Sequence, residues 1–238
     1  MIPEYSLSVV CPVYNEIECL PDALETVHRF LRETFADFEI IVVESGSTDG
    51  SGEVCDAFAE RRDRVVVIHE GARNGAGVAL RRGFGAATKD LVWIIWADLP
   101  FPLDRIHAAV PLLSTHDCVL SYRSRDHRSC CRLLLSIVYN NLEKWTLGLK
   151  VRHLNSTFKV FHRRIVQSMR LTSRAWGIEA EIAFRLQQRG ARYAEIPVPL
   201  VDRTVGTSSV TLWTAVEEYG EVLRLALSER LGLAAFRR

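Results

Sequence analysis

Three clusters of polar residues in this chain each follow an apolar run, where a β-strand would deliver its last side chains. They are Pro12-Val-Tyr14-Asn15-Glu16, Glu44-Ser45-Gly46-Ser47-Thr48-Asp49-Gly50 and Trp96-Ala97-Asp98-Leu99-Pro100. A pyrimidine nucleoside asks for an aromatic or apolar wall against its ring, and for acceptors facing its imide and ribose hydroxyls. Pro12, Tyr14, Glu16, Glu44 and Ser45 are of those types. Asp98 offers an oxygen ligand to a hard cation, or else only a turn former ahead of a proline. Arg123, Arg125, Arg128 and Arg132 form a basic stretch, and Arg203 precedes Gly206 and Ser208. Guanidinium groups hold phosphate through charge-assisted, often paired hydrogen bonds. Glu179, near the start of a helix, has the chemistry of a general base for a hydroxyl acceptor. Plainer readings stand beside these. Asp49 suits a helix N-cap, Trp93 and Trp96 suit a core, and His153 suits a structural role.

The elements that must position these groups are legible from periodicity. Leu7 to Cys11, Glu39 to Val43, Val65 to His69 and Leu91 to Trp96 are short continuous apolar runs. Helical patterns lie between them at Pro21–Phe35, Ser51–Arg62 and Val78–Ala87, with a glycine-rich loop at Gly71–Gly77. Strands buried on both faces and alternating with helices mean a mostly parallel α/β sheet covered on both sides. In such sheets ligands bind at the carboxyl ends of the strands, which is where the three clusters fall. Gly77 is grouped with the nucleotide-binding residues on the same ground. Gly75-Ala-Gly77 is not a dinucleotide fingerprint. Leu80 stands where the third small residue belongs, and the loop follows the third strand rather than the first.

The second half changes character. Ile106–Leu113 reads as a helix, Asp117–Ser121 as a strand and Leu133–Leu147 as a long helix. Phe158–Phe161 reads as a strand, Ile178–Arg189 as a helix and Tyr193–Val201 as a strand, before an amphipathic helix from about Leu212 to Leu231.

Composition narrows the classes. With 238 residues, 48% hydrophobic and 25% charged, the chain can bury one sizeable core. A net charge of +1 provides no global field for nucleic acid or anionic lipid. The six cysteines show no metal-type spacing and the N-terminus shows no leader pattern, so a reduced, cytoplasmic protein is expected. No apolar run reaches the ~20 residues of a membrane span. Any lipid contact is expected at the surface, on the inner face of the membrane.

V-x-C-P-V-Y-N-E followed by G-S-T-D-G-S resembles the inverting family 2 glycosyltransferases with the GT-A fold. The second half is similar to their polyprenol-phosphate (dolichol-phosphate) branch. It carries Ser121-Tyr-Arg123-Ser-Arg125, Gly148-Leu-Lys-Val151, Phe158-Lys-Val-Phe161, Glu181-Ile-Ala-Phe-Arg-Leu, Glu195-Ile-Pro197-Val and Arg203-x-x-Gly206-x-Ser208. The resemblance implies a single GT-A domain over residues 1–215, with a nucleotide-sugar half (1–104), an acceptor half (105–215) and a helical tail (216–238). It implies a hexosyltransferase that moves a sugar, with inversion, from a UDP- or GDP-sugar to a polyprenyl phosphate. Asp98, Glu179 and Arg203 would be its catalytic groups, and Arg123, Arg125 and Ser208 would bind the acceptor phosphate.

The departures from the family pattern define two alternatives. Where the family has two acids before Gly-Ser, this chain has Glu44 and Ser45. Where it has Asp-x-Asp and often a following Gln on Mg2+ or Mn2+, Trp96 and Pro100 leave only Asp98. His153 stands where an Asp is expected and Thr157 where a glycine often precedes the Phe. The alternatives are a soluble transferase acting on a hydroxyl of a small molecule or glycan, and a nucleotide-binding protein with a degenerate metal site and no turnover.

Overall fold

The computed structural model describes residues 2, 4–124, 130–201 and 212–231. Four apolar runs become the parallel strands β1 (Leu7–Val13), β2 (Phe38–Glu44), β3 (Val65–His69) and β4 (Leu91–Ile94). They alternate with α1 (Leu20–Thr34), α2 (Ser51–Arg61) and α3 (Ala76–Ala86). The fourth strand is two residues shorter than its apolar run, because Ile95 to Ala97 already turn toward Asp98 while staying buried.

In the second half, α4 (Ile106–Ala109) is a four-residue helix between 3-10 turns at Leu103–Arg105 and Val110–Ser114. The regular helix expected over Ile106–Leu113 is therefore broken. Pro111, which has no N–H and a ring that crowds the preceding turn, sits within it. There follow β5 (Cys118–Arg123), α5 (Cys130–Leu147), β6 (Lys159–His162), α6 (Arg163–Ser168), α7 (Ile178–Gln188), β7 (Tyr193–Val198) and α8 (Leu212–Arg230).

All strands join one sheet in the order β3-β2-β1-β4-β6-β5-β7. Only β6 runs antiparallel to its neighbours. It ties the two halves together, pairing Ile94 of β4 with Lys159 and Leu120 of β5 with the same residue. Side chains alternate along β1 between two cores. Leu7, Val9 and Cys11 pack with α1 and α2, while Val10 packs with α3, α7 and α8. The chain order reverses beside β1, between β2 and β4, and this is where an open α/β sheet forms its ligand crevice.

Candidate functional site

The crevice is floored by the ends of β1, β2 and β4. Pro12 closes β1 opposite Val43, beyond the last residue that pairs with β4, so its missing N–H costs no bond on that side. Asn15 then takes a left-handed φ of 53°, and the loop after β2 folds onto it. Asn15 N–H donates to Ser47 Oγ at 3.1 Å, and Thr48 N–H donates to Asn15 Oδ1 at 2.9 Å. Glu16 N–H donates to Ser51 Oγ, and Ile17 N–H to Asp49 Oδ2, each at 3.0 Å. Gly46 makes this loop possible. Its φ is +68°, and a Cβ there would meet the Ala72 backbone at 2.7 Å.

Asp49 does not occupy the N-cap of α2 as expected. Gly50, at φ 96°, takes that position. Asp49 sits one residue earlier and receives the Ser51 and Ile17 amides, and those bonds hold its carboxyl below the usual range against the cost of burial.

Glu44 and Ser45 are buried at the end of β2. Ser45 is engaged in the fold, donating from Oγ to Glu70 at 2.8 Å and from its amide to the Val13 carbonyl. Glu44 accepts from the Ser47 amide and lies 2.9 Å from His69 Nδ1. Burial opposes the ionised form of Glu44, yet these hydrogen bonds outweigh it and leave the carboxyl below its ordinary value. Tyr14 remains half-exposed, and the exposed Arg73 guanidinium lies 4.6 Å from its ring centroid. Glu16 and Asp98 complete this side; both lie close enough to the buried Cys11 thiol to disfavour its ionisation.

Beyond Asp98, Leu99 adopts φ 44° before Pro100, a strained state for a leucine. Its amide bonds back to Trp96, and Val201 N–H reaches the Pro100 carbonyl at 2.9 Å. Trp96 is buried against Trp176, with ring centroids 5.0 Å apart, and Trp93 lies in the core beside Phe101 and Phe158. Two residues before Asp98 there is thus an apolar ring pair. Among the described residues, no group of three or more His, Cys, Asp or Glu side chains could hold a metal ion.

On the acceptor side, Arg123 donates to the Asn155 carbonyl at 3.1 Å, and Ser121 is buried against Ser156 and the Phe158 carbonyl. Glu179 is buried in an ion pair with the equally buried Lys159, which also donates to the Ser156 carbonyl. Gly77 packs α3 against the 172–175 segment: its amide donates to Arg174 O, and a Cβ would meet Ser173 O at 2.3 Å. Arg125, Arg128, Arg203 and Ser208 lie outside the described residues.

Sequence reasoning missed His69, Arg73, Lys159 and Trp176. His69 ends β3, so the rule that selected the other strand ends would have found it.

The outward faces of α5 and α8 are unusual. Leu134, Ile137, Val138 and Trp145 are exposed on α5, while Glu143 on the opposite face is fully buried. At ~100° per residue the four exposed side chains form one stripe. Exposed Val216, Leu223, Leu227 and Leu231 likewise run along α8 and beyond its end, and Glu221 and Glu229 turn inward to the 174–175 amides and Arg185. Burial and the neighbouring Glu218 push the Glu143 carboxyl up to about 8, and burial raises Glu218 to about 7.

A doubly covered, mostly parallel sheet with its crevice beside β1, between β2 and β4, is the GT-A arrangement. The profile of Glycosyl transferase family 2 matches residues 8–171, and the chain belongs to that family. It is 31% identical over 205 residues to Glycosyltransferase AglD of Haloferax volcanii, an alignment covering 81% of this chain and 32% of that protein. It is 25% identical over 232 residues to an undecaprenyl-phosphate mannosyltransferase of Micrococcus luteus, covering 93% and 94%. The chain thus spans about a third of AglD and nearly all of the Micrococcus protein. The crystal structure of glucosyl-3-phosphoglycerate synthase from M. tuberculosis superposes with a TM-score of 0.68 at 21% identity, covering 96% of this chain and 81% of that one. That likeness concerns the fold, which is the GT-A arrangement.

Proposed function

We propose that this protein transfers a sugar from a nucleotide donor to a polyprenyl phosphate, with inversion, at a membrane surface. The nucleoside would lie over Pro12 and Tyr14, with Glu16, Glu44 and the 45–50 loop facing its polar edge, and the diphosphate near Asp98. The acceptor phosphate oxygen attacks the anomeric carbon as the bond to the donor diphosphate breaks. That oxygen is already anionic, so no general base is required. In this reading Glu179, held by Lys159, supports the acceptor wall rather than taking a proton. Where Trp96 and Pro100 replace metal ligands, the leaving charge falls to cationic side chains, with Arg123, Arg125 and Arg203 as the assigned donors.

The observation that carries the acceptor assignment is the inverted pair of helices. α5 buries Glu143 and α8 turns Glu221 and Glu229 inward, while Leu134, Ile137, Val138 and Trp145 of α5 and Val216, Leu223 and Leu227 of α8 face outward, which suits a lipid surface. The names of the Micrococcus relative and of a polyprenol monophosphomannose synthase 25% identical to this chain support the same acceptor. No described helix is long and apolar enough to cross a membrane.

The test is a transfer assay with UDP- and GDP-sugars against undecaprenyl phosphate in mixed micelles and against soluble phosphorylated and hydroxylated acceptors. Transfer to the lipid phosphate alone, persisting in EDTA, is expected. Preference for a soluble hydroxyl acceptor, or donor binding without turnover, would replace this reading with one of its alternatives. Complete loss in EDTA, restored by Mg2+ or Mn2+, would overturn its metal-independent part.

A further inference from the structure

His69 ends β3 with its ring between two carboxylates on different elements. Nδ1 lies 2.9 Å from Glu44 Oε2 on β2, and Nε2 lies 2.9 Å from Asp56 Oδ1 on α2. A neutral imidazole has one N–H and one lone pair, so it can satisfy only one of these acceptors and must point its lone pair at the other. The geometry calls for both nitrogens protonated.

The charges around the ring agree. Asp56 and Glu44 both raise its pKa, chiefly through these hydrogen bonds, against a smaller cost of burial. The next residue, Glu70, is turned toward Ser45 and toward Arg82 of α3. Cys55 of α2 sits near both acids as a buried thiol pushed up to about 12, hence neutral. The His69 side chain is 44% exposed, so protons reach it freely.

The consequence runs through Glu44. Its second oxygen receives the Ser47 amide, Ser47 Oγ receives the Asn15 amide, and Asn15 Oδ1 receives the Thr48 amide. The two loops that would face the nucleoside are therefore stitched together through a carboxylate whose orientation depends on His69. Glutamate has one more rotatable bond than the aspartate usual in this family, and more freedom to lose.

We propose that His69, as an imidazolium, is a positioning residue for the nucleoside end of the donor site: it locks the Glu44 side chain and, through it, the 45–50 loop. This deepens the proposed function and rests on its placement of the nucleoside. Below the raised His69 pKa the lock is closed. As pH rises through that pKa, one of the two bonds is lost, the ring no longer ties Glu44 to Asp56, and nucleotide affinity falls.

The test is the dissociation constant of UDP and of GDP, by calorimetry, from about pH 5.5 to about pH 9, for the wild type, His69→Gln and Asp56→Asn, with thermal unfolding followed alongside. Loss of a charge-assisted bond predicts roughly tenfold weaker binding at the alkaline end in the wild type, with a midpoint above the ordinary histidine value of ~6.5. His69→Gln is expected to lack that step. Asp56→Asn, an exposed change that leaves the fold in place, is expected to move the midpoint to lower pH. Titration of the nucleotide itself is common to all three proteins. A wild-type profile that matches His69→Gln, or a midpoint indifferent to Asp56→Asn, would overturn the role of His69 while leaving nucleotide binding intact. Failure of both nucleotides to bind the wild type at any pH would overturn the donor-site reading, and this inference with it.

Discussion

The first and second halves of the chain solve the burial of charge in different ways. Around β1, β2 and β4, acids sit at strand ends and are satisfied by backbone amides: Glu44 by Ser47, Asp49 by Ile17 and Ser51. These bonds favour the ionised forms, and both carboxyls titrate below their ordinary values. In α5 and α8, Glu143 and Glu218 are pressed inward, where burial raises both carboxyls. Glu143 is fully buried, with Asn155 Nδ2 donating to its Oε2 at 3.3 Å. Burial there favours the neutral acid. One half spends its carboxylates on shaping loops. The other tolerates them inside because its apolar side chains face outward. The difference teaches that amphipathicity alone does not orient a helix; what it meets on each side does.

The comparison breaks first at the buried Lys159–Glu179 ion pair of the second half. Lys159→Met should leave Glu179 buried and uncompensated, costing about 3–5 kcal/mol in urea denaturation; a cost near zero would mean that the pair is not closed in solution. Next comes the seam between the halves. Gly77→Ala forces a Cβ toward Ser173 O and should cost about 1–3 kcal/mol through overpacking of α3 on the 172–175 segment. A third change acts on slope rather than level. Glu143 has a folded pKa above its unfolded value, so its contribution is fully present below ~4.5 and is lost as pH rises through about 8. Glu143→Gln should flatten the decline in stability between those values, measured as denaturation midpoints across pH. The smallest effect on stability should come from Trp145→Ser, within about 0.5 kcal/mol because the side chain is 82% exposed. The same substitution should weaken sedimentation with phospholipid vesicles; unchanged sedimentation would take Trp145 out of the lipid contact.

The donor half was the more legible in sequence, for a physical reason. Its strands are continuous apolar runs because both faces are covered, and β1 to β4 fell within two residues of expectation. Ile106–Leu113 reads as a regular helix in sequence, but with Pro111 in it the stretch is a four-residue helix between 3-10 turns. α6 went unread, since Arg163–Ser168 is too short and polar to show a period. The side-chain partnerships were beyond reach. Arg73 on Tyr14, His69 on Glu44 and Lys159 on Glu179 join residues 59, 25 and 20 positions apart, and only the fold brings them together. Lys159 was disguised inside Phe158–Phe161, where a charge in a buried strand should itself have signalled a partner.

The reversed strand β6 has a consequence for how the chain acquires its shape. It comes from the second half yet fills the gap between β4 and β5, so β4 has no partner on that side until nearly 70 residues further along are in place. Closing so long a loop is slow compared with local helix formation. Until it closes, the fully buried edge of Leu91–Ile94 is an open template for another chain. A cut near residue 104 should therefore yield a first fragment that is sticky rather than stably folded, and recovered by adding the second.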